Sequence, residues 1–159
     1  MYGGSITNNT ADNGGGVYMV GGQFTMNGGE ISGNTTTTGN GGGVYVGGGT
    51  FTMNGNASVK DNTASGNTAY QGNGGGVYVY SGTFTMNDTA SVSSNKATNS
   101  ETTNTTYGGG VYVSGGTFNM NGKARITGNT AKNGGGVNVR GGKFNMSGGS
   151  ITRNIGNGV

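Results

Sequence analysis

A chain of 159 residues with 40 glycines and only 29% hydrophobic residues has too little apolar material for an ordinary globular core. Cysteine, histidine, tryptophan and proline are all absent, which excludes disulfides, thiol chemistry and the commonest metal ligand and general base. Eight basic and five acidic residues give a net charge of +3, too sparse for a nucleic-acid groove.

Without a period this composition would read as disorder, but the chain has a period. GGGVYVGGGTFTMNG, from Gly41 to Gly55, is its unit, and near copies begin at Gly14, Gly74, Gly108 and Gly134. Each repeat then needs to bury only a few side chains against its neighbours, and a thin continuous core suffices. A single domain over residues 1–159 is expected, with rungs at about 14–40, 41–73, 74–107, 108–133 and 134–159 after a partial rung at 1–13. That partial rung, MYGGSITNNT, matches MSGGSITRNI at Met146 to Ile155 almost position for position.

Taken in chain order, each rung predicts three short strands. The first is Val-Tyr-Val, led by Val17, Val44, Val77, Val111 and Val137, with Met19, Val46, Val79, Val113 and Val139 two residues later on the same face. The second carries Phe24, Phe51, Phe84, Phe118 and Phe144 inward, each followed two residues later by Met26, Met53, Met86, Met120 or Met146. The third centres on Ile6, Ile31, Val59, Val92, Ile126 and Ile151. Glycine pairs such as Gly21-Gly22 turn the corner between the first two. No segment has a helical period, so the reading is an all-β parallel β-helix, or β-solenoid, of about five rungs.

From the Asn after the third strand to the next leading Val the loops hold 7, 9, 14, 15 and 7 residues, so the insertions gather at one corner. There they raise a polar lip from residues 63–73 and 96–107, with Tyr70, Glu101 and Tyr107 on it. No window approaches the roughly 18 apolar residues of a membrane helix. Residues 1–30 also lack a signal peptide's basic start and apolar run. The expectation is a soluble chain, either mature or a piece of something longer, without membrane insertion.

Asn9, Asn34, Asn62, Asn95, Asn129 and Asn154 each lie three residues after the third-strand Ile or Val, the placement of an internal amide ladder. A second column, Asn27, Asn54, Asn87 and Asn121, follows the second strand, with Ser147 in the last rung. Tyr18, Tyr45, Tyr78 and Tyr112 alternate with inward residues and so face outward, with Asn138 closing the column. Such a stripe either meets a partner, a sugar or a neighbouring chain, or stacks to stabilise its own sheet. Thr50, Thr52, Thr83 and Thr85 make an outward Thr-x-Thr array resembling ice-binding solenoids, interrupted by Gln23, Asn119, Lys143 and Asn145.

The five acids, Asp12, Glu30, Asp61, Asp88 and Glu101, fall in different columns, so no pair is set up to share a proton or an ion. The glycine runs precede no helix and are not phosphate loops. No enzyme, cofactor or metal site is expected. Residues 1–101 hold all five acids with only Lys60 and Lys96, whereas Lys123, Arg125, Lys132, Arg140, Lys143 and Arg153 follow with no acid. If sequence order is axial order, one end is mildly negative and the other clearly positive.

The repeats resemble the β-helical passenger regions of bacterial polymorphic outer-membrane proteins, which carry GGA(I/L/V) and FxxN motifs. The FxxN pattern stands here as Phe24 to Asn27, Phe51 to Asn54, Phe84 to Asn87 and Phe118 to Asn121, with GGGV in place of GGA. They are also similar to the glycine-rich right-handed parallel β-helix repeats of gut-bacterial surface proteins. The resemblance implies an extracellular or surface-displayed bacterial protein serving in adhesion or as a scaffold, and it carries over no catalytic residue. The expected role is a structural subunit that stacks end to end on itself, because the chain starts and stops inside repeats. About eight residues, from after a leading Val to before the Met, would be missing at each junction. The alternative is an adhesin or glycan-binding module, with ice binding as a variant.

Overall fold

The computed structural model describes residues 1–101 and 105–157. Among them are 22 short strands and no helix, arranged in four parallel sheets. The Val-Tyr-Val sheet has five strands, Val17–Met19, Val44–Val46, Val77–Val79, Val111–Val113 and Val137–Val139. The Phe-Met sheet has five, from Gln23–Met26 to Lys143–Met146, and the Ile/Val sheet has six, from Ser5–Thr7 to Ser150–Thr152. In every sheet each strand pairs with its counterpart one repeat away, so position along the axis follows position in the sequence. This is a parallel β-solenoid.

The fourth sheet was not expected as a strand. It runs through Thr10–Ala11, Thr35–Thr36, Thr63–Gly66, Lys96–Asn99, Thr130–Asn133 and Ile155–Asn157, inside the corner read as loop. Only one side chain per rung points in from it, among them Thr36, Ala64, Ala97 and Ala131. Two to four residues with a single small inward group give no alternation to detect. The loop insertions begin after this strand, so they leave the body of the rung in register.

Identical residues meet identical residues. Phe84 pairs in register with Phe51 and Phe118, and Met86 with Met53 and Met120. The phenylalanine rings stack down the axis with centroids 5.5, 5.0, 4.9 and 4.8 Å apart and planes within 11° of parallel. The backbone spacing between rungs, roughly 4.8 Å, sets that separation. Phe51, Phe84 and Phe118 are fully buried, as are Met26, Met53, Met86 and Met120. Each fully buried side chain of this kind contributes about 1.5–3 kcal/mol by leaving water. One rung cannot bury this set by itself, and its neighbours above and below complete it.

The triple glycine before each leading Val is a steric requirement. The first glycine, Gly14, Gly41, Gly74, Gly108 or Gly134, sits at φ between 57° and 70°. A Cβ on the second would strike backbone of an adjacent rung, for Gly42 the carbonyl oxygen of Gly75. A Cβ on the third would press on the asparagine ladder, as Gly43 shows at 3.0 Å from Asn62 Nδ2 and Val59 Cγ1. Here the backbone itself packs against the core and bonds rung to rung, with the Gly42 N–H donating to Gly74 O at 3.1 Å and the Gly75 N–H to Gly108 O at 3.1 Å.

Candidate functional site

The most completely bonded polar feature lies inside the solenoid. From Asn9 through Asn34, Asn62, Asn95 and Asn129 to Asn154, each residue donates both its backbone N–H and its Nδ2–H to Oδ1 of the next asparagine, at 2.9–3.0 Å. The other Nδ2 hydrogen goes to the third-strand carbonyl of the preceding rung, Ile6 for Asn34, Ile31 for Asn62, Val59 for Asn95, Val92 for Asn129 and Ile126 for Asn154. Asn34, Asn62 and Asn129 are 0% exposed and Asn95 is 1%. The residue before each asparagine is left-handed, at Asn8, Gly33, Asp61, Ser94, Gly128 and Arg153, and this turn aims the amide inward. A non-glycine residue in that conformation costs about 1–2 kcal/mol, offset by the hydrogen bonds it permits.

The second column is also a ladder. Asn54 Nδ2 donates to Asn27 Oδ1, Asn87 to Asn54 and Asn121 to Asn87 at 2.8–2.9 Å, and the Ser147 hydroxyl donates to Asn121 Oδ1 at 2.6 Å. A third column escaped sequence reasoning. The backbone N–H of Asn40 donates to Asn13 Oδ1, that of Asn73 to Asn40 Oδ1 and that of Tyr107 to Asn73 Oδ1, each at 2.9 Å. The signal was present, since Asn13, Asn40, Asn73 and Asn133 each stand immediately before a triple glycine. Among the described residues every buried side-chain nitrogen and oxygen has a partner.

The tyrosine column lies outside the core and stacks along its length. Ring centroids are 4.9 Å apart between Tyr18 and Tyr45, 5.0 Å between Tyr45 and Tyr78, and 5.3 Å between Tyr78 and Tyr112. Tyr107 from the lip stacks on Tyr112 at 5.8 Å, and Tyr80 lies beside Tyr45 at 6.4 Å. The rings differ in cover along the column: Tyr112 is 3% exposed and Tyr78 8%, while Tyr18 is 56% exposed. Stacking along the axis turns the inner ring faces toward each other, so a ligand meets ring edges and phenol groups there. Burial pushes the Tyr45 phenol up to about 12, with its tyrosine neighbours adding to the effect. Burial also raises Tyr78 and Tyr112, against hydrogen bonds with Ser114 and Arg140.

Thr50 and Thr83 pair in register, as do Thr52 and Thr85, on the outer face of the Phe-Met sheet. Thr117 extends the first column and Thr25 begins the second. Beyond Thr85 the second column becomes amides, with Asn119 Nδ2 donating to Thr85 Oγ1 at 3.4 Å and Asn145 Nδ2 to Asn119 Oδ1 at 2.9 Å.

The acids occupy separate local structures. Glu30 pairs with Lys60 at 2.7 Å, and that hydrogen bond, with a second from Ser32, holds its carboxyl below the usual range. Asp12 accepts from the Thr37 hydroxyl at 3.1 Å and Asp88 from the Gly55 N–H at 2.8 Å. Among the described residues no group of three or more His, Cys, Asp or Glu side chains is placed to hold a metal ion. In the lip Tyr70 is 74% exposed, and the Glu101 N–H donates to Asn99 Oδ1 at 3.0 Å. Part of that lip, residues 102–104, lies outside the described residues.

Stacked parallel strands in one register, with asparagine, tyrosine and phenylalanine columns, define a β-solenoid repeat protein. No family model, no curated protein and no solved structure matches the chain.

Proposed function

We propose that this is a non-enzymatic, extracellular or surface-displayed structural solenoid whose units associate end to end. The observation that carries the reading is the register: in every sheet each strand pairs with its counterpart one repeat away, as Phe84 does with Phe51 and Phe118, so one rung is a template for another. The axial charge adds direction: residues 1–101 carry five acids against two lysines, and residues 123–153 carry six cations with no acid. A negative end meeting a positive one is a heterologous contact, which propagates as an open fibre. In a direct stack the two six-stranded sheets continue strand to strand, while the two five-stranded sheets remain one strand apart at the junction.

The test is electron microscopy of the purified 159-residue chain at high concentration and low salt. Filaments that shorten as salt is raised are the expected result, and dispersed monomers overturn it. The resemblance to bacterial surface repeats supports the extracellular setting.

A second reading, a glycan-binding module, is favoured by the exposed rings of Tyr18 and Tyr80, 56% and 54% accessible on one side of the body. Glycan-array binding lost on Tyr18→Ala and Tyr80→Ala, and retained on Tyr78→Phe, is the outcome that reading expects. Binding indifferent to all three would remove the aromatic face as its site.

A further inference from the structure

The sequence contains eight Asn-Gly pairs. All are open to one reaction, in which the glycine nitrogen, unhindered by a side chain on its own residue, attacks the asparagine Cγ. The fold treats them unequally. Asn13, Asn40, Asn73 and Asn133 precede the triple glycines, and there the glycine is buried and its N–H donates to a carbonyl of the next rung. Gly14 reaches Asn40 O at 3.0 Å, Gly41 reaches Asn73 O at 2.9 Å, Gly74 reaches Tyr107 O at 3.0 Å and Gly134 reaches Asn157 O at 2.8 Å. A buried nitrogen whose proton is engaged is a poor nucleophile. The Gly that follows Asn157 lies outside the described residues.

The other three pairs lie at the corner between the Phe-Met and Ile/Val sheets. The second residue of that corner is, rung by rung, Gly28, Gly55, Asp88, Gly122 and Gly148. Asp88 alone has a side chain, and its Oδ2 accepts the N–H of Gly55 in the neighbouring rung at 2.8 Å. Beyond Gly28 stands Gly55, and beyond Gly122 stands Gly148, so neither N–H finds such an acceptor, and neither donates a hydrogen bond to any described residue. Gly28 is buried, with Tyr2 O and Asn56 Oδ1 against it, whereas Gly122 is exposed. Asn121 is therefore the one described asparagine followed by a glycine whose nitrogen is both unbonded and open to water. The Ser147 hydroxyl also donates to Asn121 Oδ1 at 2.6 Å, on the oxygen where negative charge gathers as a nucleophile adds to Cγ.

We propose that Asn121 is a site of self-modification in the folded protein, by deamidation through a cyclic imide. The Gly122 nitrogen loses its proton to solvent base and bonds to Asn121 Cγ. The Cγ–Nδ2 bond breaks, and Nδ2 takes up a proton and leaves as ammonia. Water then opens the imide at either carbonyl, giving aspartate or, where the main chain now runs through the side chain, β-aspartate. The sum is one water consumed and one ammonia released. The β-aspartyl form lengthens the main chain by one carbon between Met120 and Ala124, both fully buried. Either product loses the bond from Asn121 Nδ2 to Asn87 Oδ1. The modification thus loosens this corner, independently of how the units associate.

Ageing the folded 159-residue chain at mildly alkaline pH, followed by peptide mapping with mass spectrometry, reads each pair separately. Asn121 should convert about tenfold faster than Asn54, the worth of one hydrogen bond on the attacking nitrogen. Its rate should rise with pH, and β-aspartate should accumulate there, detected by an isoaspartyl methyltransferase. Asp88→Gly removes the acceptor at an exposed position already at φ 54°, where glycine is unstrained. In that variant Asn54 should convert about tenfold faster than in the parent. Asn87, placed before a glycine by the same change, is resolved in the same map, and far-UV circular dichroism checks the fold. Equal rates at Asn121 and Asn54 in the folded parent overturn the proposal, as does Asn27 outrunning Asn121 or an Asn54 rate unmoved by Asp88→Gly.

Discussion

Asn62→Leu should cost on the order of 3–6 kcal/mol of stability, because leucine shares asparagine's branching at Cγ but none of its polar atoms. Three buried groups lose partners at once. The backbone N–H and the Nδ2–H of Asn34 both donate to Asn62 Oδ1, at 2.9 and 3.0 Å, and the Ile31 carbonyl accepts from Asn62 Nδ2 at 3.0 Å. Asn34 and Ile31 are fully buried, so water cannot replace what is lost, and each orphaned group costs about 1–3 kcal/mol. Asn62→Asp keeps the shape and the acceptor but loses both donors. It also sets a carboxylate against Asn95 Oδ1 and Ile31 O, the partners of the missing N–H groups. It should therefore be nearly as damaging at neutral pH and recover in part on acidification. Asn54→Leu is the contrast, because its column is only part-buried and makes one amide bond on each side. Urea titrations followed by far-UV circular dichroism would rank the variants, and equal midpoints for Asn62→Leu and the parent would refute the account.

Columns of this kind are legible in a sequence because the solenoid repeats them at one offset. Asn stands three residues after each third-strand Ile or Val in six rungs, and a position occupied that regularly must be doing the same thing each time. The inward Val, Phe and Met were legible for a second reason, since period-two spacing inside each copy assigned them a face. The Thr-Ala strand had neither aid: it is as short as two residues in Thr10–Ala11, and its inward group is a single Ala or Thr.

The tyrosines separate facing from exposure. Alternation placed Tyr78 and Tyr112 on the outer face, where they are, but their burial depends on rings above and below. It depends as well on Tyr107, which stands before its triple glycine where the other rungs carry Asn13, Asn40, Asn73 and Asn133. Nothing local to VYV encodes that cover. The charge polarity, by contrast, was readable as soon as the chain was known to be a stack, because the sheets convert sequence position directly into axial position. The Lys60–Glu30 bridge required knowing which rungs are adjacent and in what register, Ser32 lying opposite Lys60 and Glu30 opposite Ser58.

Gly42→Ala should be as damaging as the loss of a core side chain, on the order of 3–5 kcal/mol, with poor soluble yield. The new methyl would lie 2.5 Å from the Gly75 carbonyl oxygen, 2.7 Å from the Ala64 nitrogen and against the Thr63 carbonyl carbon. All three obstacles are backbone, so no rotamer change relieves the contact and adjacent segments must separate. Separation stretches the Gly42 N–H bond to Gly74 O and the Gly43 N–H bond to Gly75 O, now 3.1 and 3.2 Å, and lifts the corner away from Val59 and Asn62 beneath Gly43. Gly21→Ala is the matched control, since a Cβ there has nothing within 4 Å, and it should change stability by less than about 0.5 kcal/mol. Melting temperatures of the two variants, measured side by side, decide the matter. If Gly42→Ala melts with the parent, the triple glycine serves the chain through flexibility. If only Gly42→Ala collapses, the glycines are core residues whose side of the contact is the backbone itself.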